Sequence, residues 1–251
     1  HSRRFSPADM PASTWDVRRF LWLPALACRG FFALRLFKHM LVLHGNAVGG
    51  GSITYANTLL VPNTGVWQHG TWAGLRPWGN IMPAHYQRAE AMLGVTTNPI
   101  LTDADHTLQR LASAAGVGNS FYATRVGVYF GTNDQHTHPP HNGDPYFNGN
   151  GPPRQPCTAC GGCMVGCRYR AKNTLDYNYL YLAERQGAQV LAQNRVTRIA
   201  PLGAAQDGSS GWLITVKPFR QPEQHYTAAQ VIVSAGSLGT QKLLFAMKQQ
   251  G

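Results

Sequence analysis

Acidic side chains are scarce in this chain: 11 Asp and Glu stand against 22 Lys and Arg in 251 residues, a formal charge of +11. Charged residues of both signs make up 13%, about half the share usual in soluble domains. Such a balance suits an anionic ligand, an acidic membrane or nucleic acid. The basic residues are scattered, with no block and no helical stripe, which argues against nucleic acid. Long apolar runs are also lacking. The richest stretch, residues 20–43, is interrupted by Arg29, Arg35 and Lys38 and falls short of the ~20 apolar residues of a membrane span. It reads as a core helix, with Phe31, Phe32, Leu34, Leu36 and Phe37 lying on a membrane surface or covering an apolar substrate pocket as the alternative. No signal-peptide pattern, initiator Met or internal repeat is present. The reading is of a central fragment of a longer protein, cytoplasmic or peripheral to a membrane.

Cysteine is nearly absent outside one short run. Four of the five fall at Cys157, Cys160, Cys163 and Cys167, spaced C-x2-C-x2-C-x3-C, with Gly161, Gly162 and Gly166 between them. This spacing matches the bacterial iron–sulfur run, except that Arg168 replaces the usual Pro and no second run exists. An iron–sulfur cluster, zinc, disulfides and reduced structural thiols all stay open. Cys28 reads as a buried apolar residue. His136, His138 and His141 form a second metal candidate, but their loop reads as solvated.

The 27 glycines and 16 prolines indicate many turns. Apolar periodicity and capping residues predict a helix from Ser13, a second over 83–94 with Pro83 in its first turn, and a third over 103–116. A strand is expected over 125–130, then an aperiodic loop over 131–156. Leu175, Tyr179 and Leu182 share one face of a helix predicted over 171–185, which Gly187 ends. Residues 189–199 and 212–216 read as strands of a meander. Residues 231–234, Val-Ile-Val-Ser, read as a short buried strand that turns through Ala235-Gly236 into a last helix.

Two of these segments suit a dinucleotide. Residues 44–59 carry Gly49, Gly50, Gly51 and Ser52, followed by a helix-like run. Glycines there bare the backbone, and N–H donors at a helix start attract a pyrophosphate. Residues 231–244 put small residues at the end of an apolar strand, where open α/β sheets bind ligands.

Taken together, the motifs resemble the glucose–methanol–choline oxidoreductases, most closely their bacterial cholesterol-oxidase-like branch. The resemblance is carried by Arg3-Arg4-Phe5-Ser6-Pro7-Ala8-Asp9, Val48-Gly49-Gly50-Gly51-Ser52, Tyr55-Ala56-Asn57-Thr58 and Asp144-Pro145-Tyr146-Phe147. The cysteine run, Ala171-Lys172-Asn173-Thr174-Leu175 and Val233-Ser234-Ala235-Gly236-Ser237-Leu238-Gly239-Thr240-Gln241 complete it. It implies an FAD enzyme that moves a hydride from an alcohol, an apolar or sterol one, to flavin, with oxygen or another acceptor reoxidising it. The residues it implies for the cofactor are Gly45, Asn46, Val48, Gly49, Gly50, Gly51, Ser52, Tyr55, Ala56, Asn57, Val196, Ala235 and Gly236. Many members of the family carry Asn where this chain has Tyr55. The family's opening G-x-G-x-x-G unit and ribose-binding acid are missing here. Its catalytic His would follow Gly251, so no catalytic residue is assigned and the fragment alone is expected to be inactive.

The expected fold is α/β: an incomplete Rossmann-like FAD-binding sheet with a β-meander, plus part of a substrate-binding α+β region. Residues 1–60 and 157–251 would belong to the FAD-binding part, and 61–156 would face the substrate. The alternative reading is an iron–sulfur or zinc module serving electron transfer or structure.

Overall fold

The computed structural model describes residues 3–131 and 141–249. They form two compact units, one spanning residues 4–189 and the other residues 190–249 together with Arg3.

In the larger unit, Asp16 caps a short helix, α1 (Val17–Phe20), by accepting from the Arg19 amide at 3.4 Å. Strands β1 (Leu21–Leu23), β2 (Cys28–Arg29), β3 (Phe32–Leu36) and β4 (Leu41–Gly45) follow. They build one sheet in the order β2-β1-β3-β4, with β1 and β3 parallel and the other pairs antiparallel. The core helix expected over 20–43 is therefore a mixed sheet. Pro24 removes a backbone donor and opens a 3-10 turn, and Gly30 follows six residues later. A turn closed by Phe37 N–H to Met40 C=O at 2.9 Å folds β3 back onto β4. Phe31, just before β3, and Phe32, its first residue, pack into a core with Phe5, Met10, Ala47 and Ile53. There the Phe5 and Phe31 rings meet edge to face at 5.5 Å.

Helix α2 (Trp78–Leu93) starts five residues before Pro83, which lies inside it rather than in its first turn. The first turn is held instead by Trp78, whose ring lies 6.2 Å from Trp72 and whose Nε1–H donates to the Trp72 carbonyl at 3.1 Å. The helix ends at Gly94, at φ 56°, where a Cβ would collide with the Tyr146 ring. Strand β5 (Thr96–Thr97), helix α3 (Asp103–Ala114) and strand β6 (Arg125–Val126) follow, β5 and β6 pairing antiparallel. Helix α3 lies where its spacing predicts.

Two sequence expectations shorten for one shared reason. The strand expected over 125–130 stops at Val126, and the helix expected over 171–185 is only α4 (Tyr179–Arg185). Residues 127–129 and 171–173 pair with each other in extended form. Tyr129 N–H donates to the Ala171 carbonyl at 2.9 Å and Asn173 N–H to the Gly127 carbonyl at 2.8 Å. That long-range pairing overrides the helical periodicity of the segment.

The smaller unit carries the expected meander: β7 (Asn194–Pro201), β8 (Trp212–Pro218) and β9 (Gln224–Ala228), antiparallel in that order. Helix α5 (Gly236–Gln249) follows. Residues 231–234 are not a buried strand: they take no regular form, and Ile232 is 90% exposed. A short all-apolar strand needs neighbours on both sides to be buried, and among the described residues no strand pairs with it. The fold is mixed α/β, and a complete Rossmann-like sheet is not among its described elements.

Candidate functional site

Strand β4 delivers the glycine loop. At its end, Asn46 N–H donates to the Phe31 carbonyl at 2.6 Å and buried Ala47 and Val48 anchor the backbone. Gly49 then takes φ 102° and Gly50 φ 58°, the left-handed region that disfavours other residues. The run after Gly50 is a single 3-10 turn, Gly50–Ile53, and not the longer helix its composition suggested. Ser52 Oγ clamps the turn by donating to the Gly49 carbonyl at 2.7 Å while accepting from the Leu175 amide at 2.9 Å.

Around Gly50 and Gly51 the space is open, and a Cβ built on either would meet nothing within 4 Å. The loop therefore offers bare backbone outward. Buried polar atoms without partners occur on β4, in the residue after it and at Asp176: His44 Nε2, Asn46 Nδ2 and Asp176 Oδ1. Asp176 lies directly behind the loop, its Oδ1 3.2 Å from where a Cβ on Gly49 would sit. Burial raises the pKa of its carboxyl above the usual carboxylate range, against the lowering effect of hydrogen bonds and of Arg4 and Arg154. Glycine backbone open on one side and orphaned polar groups on and just after the strand leading to it fit a polar, anionic cofactor portion such as a dinucleotide.

The remaining expected cofactor residues of this unit have other neighbours. The Tyr55 hydroxyl donates to the Asn173 carbonyl at 2.7 Å, and the Lys172 ammonium sits 4.9 Å from its ring centre. Burial raises the Tyr55 pKa. Ala56 is exposed, and Asn57 Nδ2 donates to Cys163 Sγ at 3.0 Å. Val196, Ala235 and Gly236 lie in the other unit. Val196 sits at an irregularity in the β7–β8 register, and Gly236, at φ 73°, opens α5.

The sequence reading missed a buried polar hub. Lys172 is 1% exposed and donates to the carbonyls of Ile53, Tyr55 and Cys163 at 2.9, 2.9 and 2.7 Å. Burial pulls its pKa down to about 8, an effect partly opposed by Cys163 and Cys167. Arg154, buried between the Tyr146 and Tyr177 rings, donates to the Arg170 and Lys172 carbonyls at 2.7 and 3.2 Å and to Asn173 Oδ1. Asp144 accepts from the amides of Tyr146, Phe147 and Gly151 at 3.0, 3.0 and 2.8 Å. The Asp-Pro-Tyr run is the one local signal for this turn, since an Asp side chain bonding amides just downstream is turn chemistry.

Cys157, Cys160, Cys163 and Cys167 are free thiols lining one hollow. Among the described residues, no three ligating side chains stand close enough together to hold a single metal ion. His136 and His138 lie outside the described residues. His141 exchanges backbone hydrogen bonds with Asp144, at 3.2 and 3.0 Å.

A glycine loop open to an anion and a mixed α/β frame define a candidate nucleotide-cofactor protein. Residues 152–246 match the family model for GMC oxidoreductase, the glucose–methanol–choline family that the motifs resemble. It is 48% identical to a cholesterol oxidase of Acinetobacter baumannii over 256 residues, covering 99% of this chain and 45% of that protein. Against a cholesterol oxidase of Mycobacterium tuberculosis it is 42% identical over 258 residues, covering 99% of this chain and 43% of that protein. The chain thus spans less than half the length of these relatives. The family match runs through all four clustered cysteines, so the cysteine run lies inside the oxidoreductase domain and does not define a separate metal module.

Proposed function

We propose that the protein carrying this chain oxidises the CH–OH carbon of an apolar secondary alcohol, with sterols as the substrate class. The carrying observation is the 48% identity to a cholesterol oxidase across 99% of the chain, the open glycine loop included. FAD, when bound, supplies the flavin ring that accepts the hydride. In this reading Gly49, Gly50 and Gly51 give backbone access to the pyrophosphate and flavin end, with Asn46 beside them. Val196, Ala235 and Gly236 serve the adenine and dinucleotide side.

The division proposed from sequence follows the same logic. Residues 1–60 and 157–251 serve the cofactor, and 61–156 face the substrate. The ring cluster of Trp67, Trp72 and Trp78, with centroids 5.8 to 6.5 Å apart, supports an apolar substrate face. Oxygen is the proposed electron acceptor. A cytoplasmic or membrane-peripheral location suits a substrate that dissolves in lipid.

The test is to unfold the purified whole protein and identify the released cofactor, then assay sterol oxidation by peroxide formation. FAD in the extract, and a kcat/KM for a sterol well above that for a short secondary alcohol, are expected. A protein that releases no flavin overturns the cofactor reading, and one that prefers the short alcohol overturns the substrate class. Co-sedimentation with neutral and acidic liposomes reads the membrane contact, which is rejected if the protein stays in the supernatant with both.

A further inference from the structure

The four clustered thiols share one hollow. Val128, Ala171 and Tyr169 line it with them. A single tetrahedral zinc needs its sulfurs ~2.3 Å from one point, and among the described residues no three ligating side chains form such a group. An iron–sulfur cluster takes four cysteine sulfurs around a body of several atoms, the arrangement that a ring of thiols offers.

Three of the sulfurs already accept hydrogen bonds from N–H groups. Asn57 Nδ2 donates to Cys163 Sγ at 3.0 Å and Ala159 N–H to Cys157 Sγ at 3.4 Å. The amides of Ala171 and Lys172 donate to Cys167 Sγ at 3.3 and 3.4 Å. Donors turned toward sulfur stabilise thiolates, and in clusters they tune the metal's potential. Lys172 adds a buried positive charge at the wall of the hollow. Its three hydrogen bonds go to backbone carbonyls, and the acidic groups acting on it are Cys163, Cys167 and Asp176. A buried charge is costly unless it is paired, and a thiolate-ligated cluster would add negative charge on the side of Cys163 and Cys167.

From this geometry we infer that Cys157, Cys160, Cys163 and Cys167 ligate one iron–sulfur cluster inside the oxidoreductase domain. The sulfurs bind as thiolates, so each thiol releases its proton on assembly. The fourth cysteine serves the same cluster as the other three, because Cys167 lines the same hollow. Asn57 ties the site to the segment that carries the glycine loop, but the inference does not rest on the flavin reading.

The test uses the whole protein, purified without oxygen, with iron, acid-labile sulfide, zinc and flavin measured separately per chain. About four iron and four sulfide are expected for a cubane-type cluster, or about two of each for the smaller type, with a paramagnetic signal appearing on one-electron reduction. Cys163→Ser and Cys167→Ser lose iron and sulfide together, while Cys28→Ser keeps both. Zinc in place of iron, a disulfide found by mass spectrometry, or four thiols alkylated in metal-free native protein overturns the inference. Reconstitution of the metal-free protein with ferric and ferrous iron and sulfide gives a second readout on wild-type chain, independent of whether a variant folds. A protein with cluster but no flavin leaves this inference standing and removes the flavin reading.

Discussion

At the scale of single residues, Gly51 separates binding from folding. It has ordinary φ and open space where a side chain would begin. Gly51→Val is expected to change stability by less than about 0.5 kcal/mol yet to weaken FAD retention by about tenfold or more, ~1.4 kcal/mol of lost binding. Urea denaturation of the flavin-free form and flavin titration measure the two effects. Asp176 gives a pH signature. Its folded pKa is raised by burial, so its contribution to stability is complete below the unfolded carboxylate pKa and is lost as pH rises through the folded value. Urea midpoints of the flavin-free protein should fall over that window, and Asp176→Asn should flatten the decline. Arg154→Met removes a 7%-exposed cation from a cluster of carbonyl acceptors and is expected to cost about 3 kcal/mol, from hydrogen bonds to a charged group. The glycines of the loop were readable in sequence because consecutive Gly has few structural uses. Lys172 and Asp176 were not, because a buried charge looks like a surface charge until its neighbours are known.

At the scale of elements, local chemistry was legible and long-range pairing was not. Helix α3 follows from Thr102 and Asp105, whose side chains bond each other at 2.6 Å at the helix start. The meander follows from alternating strands and turn residues. By contrast, residues 171–173 carry a helical pattern and are drawn into extended pairing with 127–129 by bonds invisible to local periodicity. Helix α2 is another instance, because its start depends on a tryptophan cluster and not on Pro83. With Pro83 inside the helix, the backbone there lacks an N–H donor. Pro83→Ala should therefore raise the urea midpoint, by up to ~3 kcal/mol in stability. An unchanged or lower midpoint would mean that the proline is accommodated at no cost.

For the molecule as a whole, the cofactor reading makes a thermodynamic demand. A ligand that binds only the folded state at a hundred times its Kd adds about 2.7 kcal/mol. Thermal unfolding of the flavin-free whole protein should thus move upward as FAD is added and saturate with the binding curve. The family could be recognised from the order of short motifs along the chain, while the burial of 231–234 could not be judged from that segment alone. The ties that shape the glycine loop also set when it can form. Lys172 reaches Ile53 across 119 residues, Tyr55 reaches Asn173 across 118, and Leu175 reaches Ser52 across 123. During synthesis on the ribosome, the loop emerges long before these partners exist. It should stay unformed until the cysteine segment and residues 172–175 have left the exit tunnel, so a nascent chain halted earlier should not take up the cofactor.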